Sequence, residues 1–235
     1  MSSKNNEITK ENLDQFLNDL AKTYKKMAGR KEPAEIILVG GAAILTNYGF
    51  RDMTTDIDAI INAASAMKDA INIVGDKYNL PNGWLNADFT QTASYSHKIP
   101  EHSVYYKTFA NILSVRTVKD EYLVAMKLKS GRIYKHDQSD IVGIITSSKG
   151  SINPLTPESI SSAFFELYGE ELPEKDTKLV RQIIETLDAE QFYADTVAKE
   201  KLAKQTLIDF QEQYPGVINQ ENAEQLANRL MSLKN

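Results

Sequence analysis

The residues whose types and spacing could do chemistry are Gly40 and Gly41, followed by Asp56 and Asp58 two positions apart. The run Glu35 to Val39 (EIILV) has the β-branched content of a buried strand. Gly40-Gly41 ends it, and Ala42 to Tyr48 (AAILTNY) reads as a helix with Gly49 as its natural stop. Two residues without a Cβ let backbone approach a ligand closely. The N–H groups of a helix start favour an anion such as phosphate. Thr54 to Ile61 (TTDIDAII) reads as the next strand. On a strand, residues two apart leave the same face, so Asp56 and Asp58 would present paired carboxylates. Like charges on one face repel, and a hard cation relieves that conflict. Mg²⁺ suits the pair, because it takes one or two carboxylates together with substrate phosphates. It would polarise a phosphoryl group and orient an in-line displacement.

Each half of this pattern is ordinary alone. A Gly-Gly after a strand is usually only a turn, and an Asp-x-Asp pair is often a solvated strand end. Their strand–turn–helix–strand order is more informative. It brings the glycines beside the carboxylates when the two strands are neighbours, as consecutive strands usually are.

The elements that must position these residues can be followed along the chain. Asn12 to Met27 places Leu13, Phe16, Leu17 and Leu20 at helical spacing, so an amphipathic helix precedes the first strand. Ser65 to Tyr78 is a further amphipathic helix with Ser65 at its N-cap. Pro81 to His102 reads as a long loop with short structured pieces. Its Trp84 is more simply a wedge holding the loop to the domain than a platform for a base. Val104 to Phe109 and Ile112 to Val118 form a strand pair turning around Asn111, and Lys119 to Ser130 is a helix ended by Gly131. Gln138 to Ile145 is another. From Pro154 the strand signals stop: Thr156-Pro157 opens a helix to Tyr168, and three more cover Lys175 to Val197, Ala198 to Tyr214 and Gln220 to Leu233. The expected architecture is α+β, a small mixed β-sheet flanked by helices over 1–150 and an all-helical region over 151–235.

Composition narrows the function classes. With 42% hydrophobic and 25% charged residues among 235, the chain resembles an ordinary soluble globular protein. No apolar run approaches the roughly 18–20 residues of a membrane helix. The polar start, Met1 to Asn6, lacks the apolar core of a secretory signal, so a cytoplasmic location is expected. Cysteine is absent, which excludes disulfides and thiolate metal sites. The three histidines, His97, His102 and His136, lack the spacing of a helical zinc motif, so zinc is not expected. A net charge of -5 argues against a broad nucleic-acid surface, though not against a local basic groove.

The segment Ile37 to Ile61 resembles the core motif of the nucleotidyltransferase superfamily, which includes the polymerase-β-like and minimal nucleotidyltransferases. Downstream, Ala125-Met126-Lys127-Leu128, Arg132 and Lys135 to Ile141 (KHDQSDI) are similar to the Lys-Leu … Arg … Arg-Asp-x-x-Asp pattern of the AbiEii-like branch, the toxins of toxin–antitoxin and abortive-infection systems. The resemblance covers roughly residues 35–145. It implies the nucleotidyltransferase fold and Mg²⁺-dependent transfer of a nucleotidyl group from a nucleoside triphosphate to an acceptor hydroxyl on RNA, tRNA or protein. It implies a toxin role with an antitoxin partner. Gly40 and Gly41 would contact the nucleotide phosphates, and Asp56 and Asp58 would bind one or two metal ions. Lys127 would point at the triphosphate and Asp140 would be a supporting acid.

The residues themselves leave alternatives open. Lys127 reads almost equally as a snorkelling surface lysine, and Asp137 and Asp140 as helix-start residues. Arg51 is a phosphate ligand or a solvated loop cation. Many relatives carry a third carboxylate on a later strand, whereas Ile112 to Val118 (ILSVRTV) holds no acid. Asp88, Asp120 and Glu121 are the nearest substitutes; either one of these or Asp140 completes the site, or only one metal is held firmly. That departure supports a second expectation, a catalytically degenerate nucleotide-binding or protein-interaction protein on the same fold.

Overall fold

A computed structural model describes residues 7–219 and 222–233. The N-terminal stretch 1–6 and Gln220, the expected start of the last helix, lie outside the described residues. The chain divides into two compact units, Met1–Leu123 and Val124–Asn235.

The first unit begins with strand β1 (Ile8–Thr9) and helix α1 (Lys10–Ala28). The spacing that suggested this helix is what it buries: Leu13, Phe16, Leu17, Leu20 and Tyr24 all face inward. The Asn12 side chain holds the helix start by accepting from the Thr9 N–H at 2.9 Å. Strand β2 (Ala34–Leu38) leads directly into helix α2 (Gly40–Asn47). Strands β3 (Met53–Thr54) and β4 (Ile57–Asn62) follow, then helix α3 (Ala66–Tyr78) and the short strand β5 (Leu85–Asn86). Strands β6 (Ser103–Phe109) and β7 (Leu113–Val118) close the sheet as a hairpin. Its turn sets Ala110 and Asn111 at φ 49° and 51°, the left-handed pair that a two-residue hairpin turn requires.

Five strands form one mixed sheet in the order β5-β4-β2-β7-β6. β2 is antiparallel to β4 and parallel to β7. β1 and β3 pair separately, with Ile8 opposite Thr54. This two-residue ladder was not legible in the sequence. The register places Ile36, Leu38, Ala59, Val115 and Thr117 on one face of the sheet, all buried. Trp84 is buried, at 1% exposure. Its indole N–H donates to the Ile71 carbonyl at 2.9 Å, and its ring lies against Gly75 and edge-on to Phe16. Trp84 therefore fastens the long loop to α3.

The second unit is helical throughout its described residues. Helix α4 (Asp120–Ser130) runs into it, and Gly131 at φ 60° ends that helix. Helices α5 (Asp137–Ser148), α6 (Pro157–Tyr168), α7 (Glu174–Glu185), α8 (Ala189–Gln213) and α9 (Ala223–Ser232) follow. Thr156 caps α6 by accepting from the Ser159 N–H at 3.1 Å. The expected break at Val197–Ala198 does not occur. The helix breaks earlier because Asp188 caps α8, accepting from the Gln191 N–H at 3.0 Å.

Candidate active site

The residues singled out by sequence fall into two groups, one in each unit. The first lies in the first unit, where β2 gives way to α2. Val39, the N-cap of α2, donates its N–H to the Asp58 carbonyl at 3.0 Å, so β4 is in register with the glycine turn. Gly40 sits at φ 55°, where a Cβ is strained. A Cβ there would lie 3.5 Å from Asp58 Oδ2. At Gly41 a Cβ would fall 2.9 Å from both an Arg51 guanidinium nitrogen and Thr54 Oγ1. The two glycines are needed for different reasons: Gly40 for its left-handed backbone, Gly41 for the space taken by a guanidinium and a hydroxyl.

Asp56 departs from its expected place. Strand β4 starts at Ile57, and Asp56 lies in the bend between β3 and β4, so only Asp58 is a strand residue. Thr55 and Asp56 are both exposed, so the bend interrupts the alternation, which resumes with the fully buried Ile57 and the half-buried Asp58. The bend is held on both sides. Arg51 Nε donates to the Met53 carbonyl at 3.1 Å, Thr54 Oγ1 donates to the Asp56 carbonyl at 3.1 Å, and the Ile57 N–H donates to the Trp84 carbonyl at 2.7 Å. Thr54 was missed from sequence. Its position two before Asp56, in a buried strand slot, was the available signal.

Electrostatically the corner mixes signs. A helix start is equivalent to a partial positive charge, and Arg51 adds a full one beside it. Asp58 and Asp56 supply negative charge within the same turn of chain. Carboxylates that can take a hard cation, next to N–H groups and a guanidinium that can take phosphate oxygens, match a metal-bound polyphosphate. Two carboxylates fit Mg²⁺, which keeps several waters and shares phosphate oxygens with its substrate. Among the described residues no group of three or more His, Asp or Glu side chains could hold a metal. Asp88 lies in a 3₁₀ turn beyond β5, while Asp120 and Glu121 open α4.

The second cluster lies in the second unit and gathers Lys127, Arg132, Asp137 and Asp140. Lys127 Nζ is 2.9 Å from Asp137 Oδ1 and 2.7 Å from Asp140 Oδ2. Arg132 Nε donates to Asp137 Oδ2 at 2.8 Å. Asp137 and Asp140 are 1% and 2% exposed. Burial opposes the charged form of Asp137, but Lys127 and the Arg132 guanidinium outweigh it and hold the carboxyl below the usual range. Burial likewise opposes the ammonium of Lys127, and the two aspartates more than compensate, raising its pKa. Glu200 of α8, absent from the sequence reading, joins this cluster. Its Oε1 accepts the Gln138 and Ser139 N–H groups at 2.9 and 3.0 Å, capping α5 from another helix.

No helix among the described residues is long and apolar enough to cross a membrane. No curated relative and no solved structure matches the chain significantly. The family model described as "Nucleotidyltransferase of unknown function (DUF6036)" matches residues 15–158 and so spans the glycine turn, the Asp pair and the Lys127 segment. The chain belongs to this nucleotidyltransferase family.

Proposed function

We propose that the chain transfers a nucleotidyl group from a nucleoside triphosphate to an acceptor hydroxyl, using the first cluster. The observation that carries this reading is the meeting of the Gly40–Gly41 helix start, the Asp58 carboxylate and the Arg51 guanidinium at one corner. Asp56 and Asp58 would hold Mg²⁺, which supplies charge neutralisation at the phosphoryl group. The chain's own part is to bind and orient. The α2 N–H groups and Arg51 take phosphate oxygens, and Gly40 and Gly41 let the phosphates approach the backbone. Placing the donor phosphate for in-line attack, with its charge matched by fixed dipoles, is where most of such a barrier is removed.

Resemblance to the AbiEii-like branch supports an RNA or protein acceptor and a toxin role with an antitoxin partner. The decisive assay incubates the protein with labelled nucleoside triphosphates, Mg²⁺, and RNA and protein acceptors. Label transfer should be lost in Asp56→Asn/Asp58→Asn. Equal labelling by that double variant would refute the reading.

A second reading, nucleotide binding without turnover, is favoured by the lack of a three-carboxylate group among the described residues. Calorimetry showing Mg²⁺-dependent triphosphate binding, with no transfer to any acceptor, would select it. Lys127 and Asp140 have a clear part under either reading. With two buried carboxylates on one ammonium, they suit clamping α4 against α5.

A further inference from the structure

Asp56 sits in an exposed two-residue bend, and an exposed bend leaves a side chain free to swing unless something fixes the backbone beneath it. Beside the Ile57 N–H bond to the Trp84 carbonyl, it is Thr54 that fixes this backbone. Its hydroxyl donates to the Asp56 carbonyl at 3.1 Å, spanning the bend from the residue just before it. Thr54 is itself immobilised. It is 5% exposed, paired across β1–β3 with Ile8, and its Oγ1 reaches to 2.9 Å from the position of a Gly41 Cβ. One hydroxyl thus fills the space beside Gly41 and bonds the segment bearing Asp56.

We propose that Thr54 is a positioning residue that orders Asp56 for divalent-cation binding beside Asp58. The inference rests on the nucleotidyltransferase reading of the Asp pair. It assigns the hydroxyl a role beyond packing: without it, Asp56 samples orientations that do not converge with Asp58, and the cation sees one fixed carboxylate instead of two. The cost falls on metal affinity because the ordering must then be paid at binding. A hydrogen bond of ordinary net strength corresponds to about a five-fold change in such an equilibrium.

The test is direct binding of Mn²⁺, as a spectroscopic stand-in for Mg²⁺, to the nucleotide-free protein by electron paramagnetic resonance, with thermal melting alongside. Thr54→Val keeps the shape and removes the donor; Thr54→Ser keeps the donor; Thr54→Ala removes it without placing a methyl against Gly41. Weakening of about five-fold in both Thr54→Val and Thr54→Ala, with Thr54→Ser close to wild type, supports the proposal. Because the melting curves identify any variant that has not folded, the folded donor-free variant carries the comparison. Wild-type affinity in a folded Thr54→Val or Thr54→Ala overturns it, as does a Thr54→Ser variant as weak as they are. If wild-type protein binds Mn²⁺ no better than Asp56→Asn/Asp58→Asn, the metal reading of the pair falls and this role falls with it. That outcome is distinct from the one in which metal binds but Thr54 is irrelevant.

Discussion

A Cβ on Gly40 would lie 3.5 Å from Asp58 Oδ2, an ordinary contact, so it is the φ of 55° and not want of space that calls for glycine there. The neighbouring Gly41 faces Arg51 and Thr54 instead, so the two glycines serve different partners. The helix start, the Arg51 guanidinium and the Thr54 hydroxyl thus all border the segment that carries Asp56 and Asp58.

Alanine at the two glycines should separate these roles. Gly40→Ala must hold φ near 55°, a strain of about 1–2 kcal/mol, and should melt several degrees lower. Gly41→Ala has an allowed backbone, but its methyl displaces Arg51 and Thr54, at about 1–3 kcal/mol for overpacking. Triphosphate affinity measured by calorimetry should fall more in Gly41→Ala than its melting shift alone explains. Unchanged affinity would remove Arg51 from the phosphate site.

Lys127→Met leaves Asp140 and part of Asp137 uncompensated in a buried setting. Breaking such a pair from one side costs about 3–5 kcal/mol, which corresponds to about 10 °C in a chain of this size. Asp140→Asn added to Lys127→Met should recover part of that loss, since it removes one stranded charge. Thermal melts of the three proteins check both statements. A lysine reserved for phosphate would instead depress transfer while leaving the melting temperature in place.

Trp84→Ala should cost about 3–5 kcal/mol through the cavity it leaves and the indole bond lost to Ile71. Trp84→Phe should keep wild-type triphosphate affinity, because the indole is buried and stacks on no open surface. Since Trp84 is the sole tryptophan, its emission also reports unfolding of the first unit. A loss of nucleotide affinity in folded Trp84→Phe would revive the base-stacking role.

The helices and the main strands were legible because burial writes itself into spacing: Leu13, Phe16, Leu17 and Leu20 recur with the helical period and are what α1 buries. The turn from β2 into α2 was legible for the same kind of reason, as a β-branched run ended by Gly40-Gly41. What stayed hidden was settled by contacts distant in sequence. The two-residue β1–β3 ladder has no periodicity to read. Asp56 left the strand because the bend is tied to Thr54 and Trp84, bonds that no local pattern announces. Glu200 looks like any charged residue of a long helix. Its cap on α5 joins positions 61 and 62 residues apart.

That cap should make the protein sensitive to pH near neutrality. Glu200 is 3% exposed; burial, chiefly, raises its carboxyl from the ordinary 4.5 to about 7, with the Asp140 charge adding to the effect and the Gln138 and Ser139 N–H groups opposing it. Its Oε2 lies 3.7 Å from His136 Nδ1. The folded chain therefore holds a proton that the unfolded chain releases near pH 4.5. Stability from this group is complete below about 4.5 and is lost as pH rises through about 7. The loss amounts to about 1–3 kcal/mol. Glu200→Gln keeps an oxygen for the two backbone N–H groups and cannot titrate. Its melting temperature should match wild type near pH 5 and exceed it near pH 8, with a flatter profile between. Parallel profiles for the two proteins from pH 5 to 8 would show that Glu200 is already ionised throughout and that the cap is insensitive to pH.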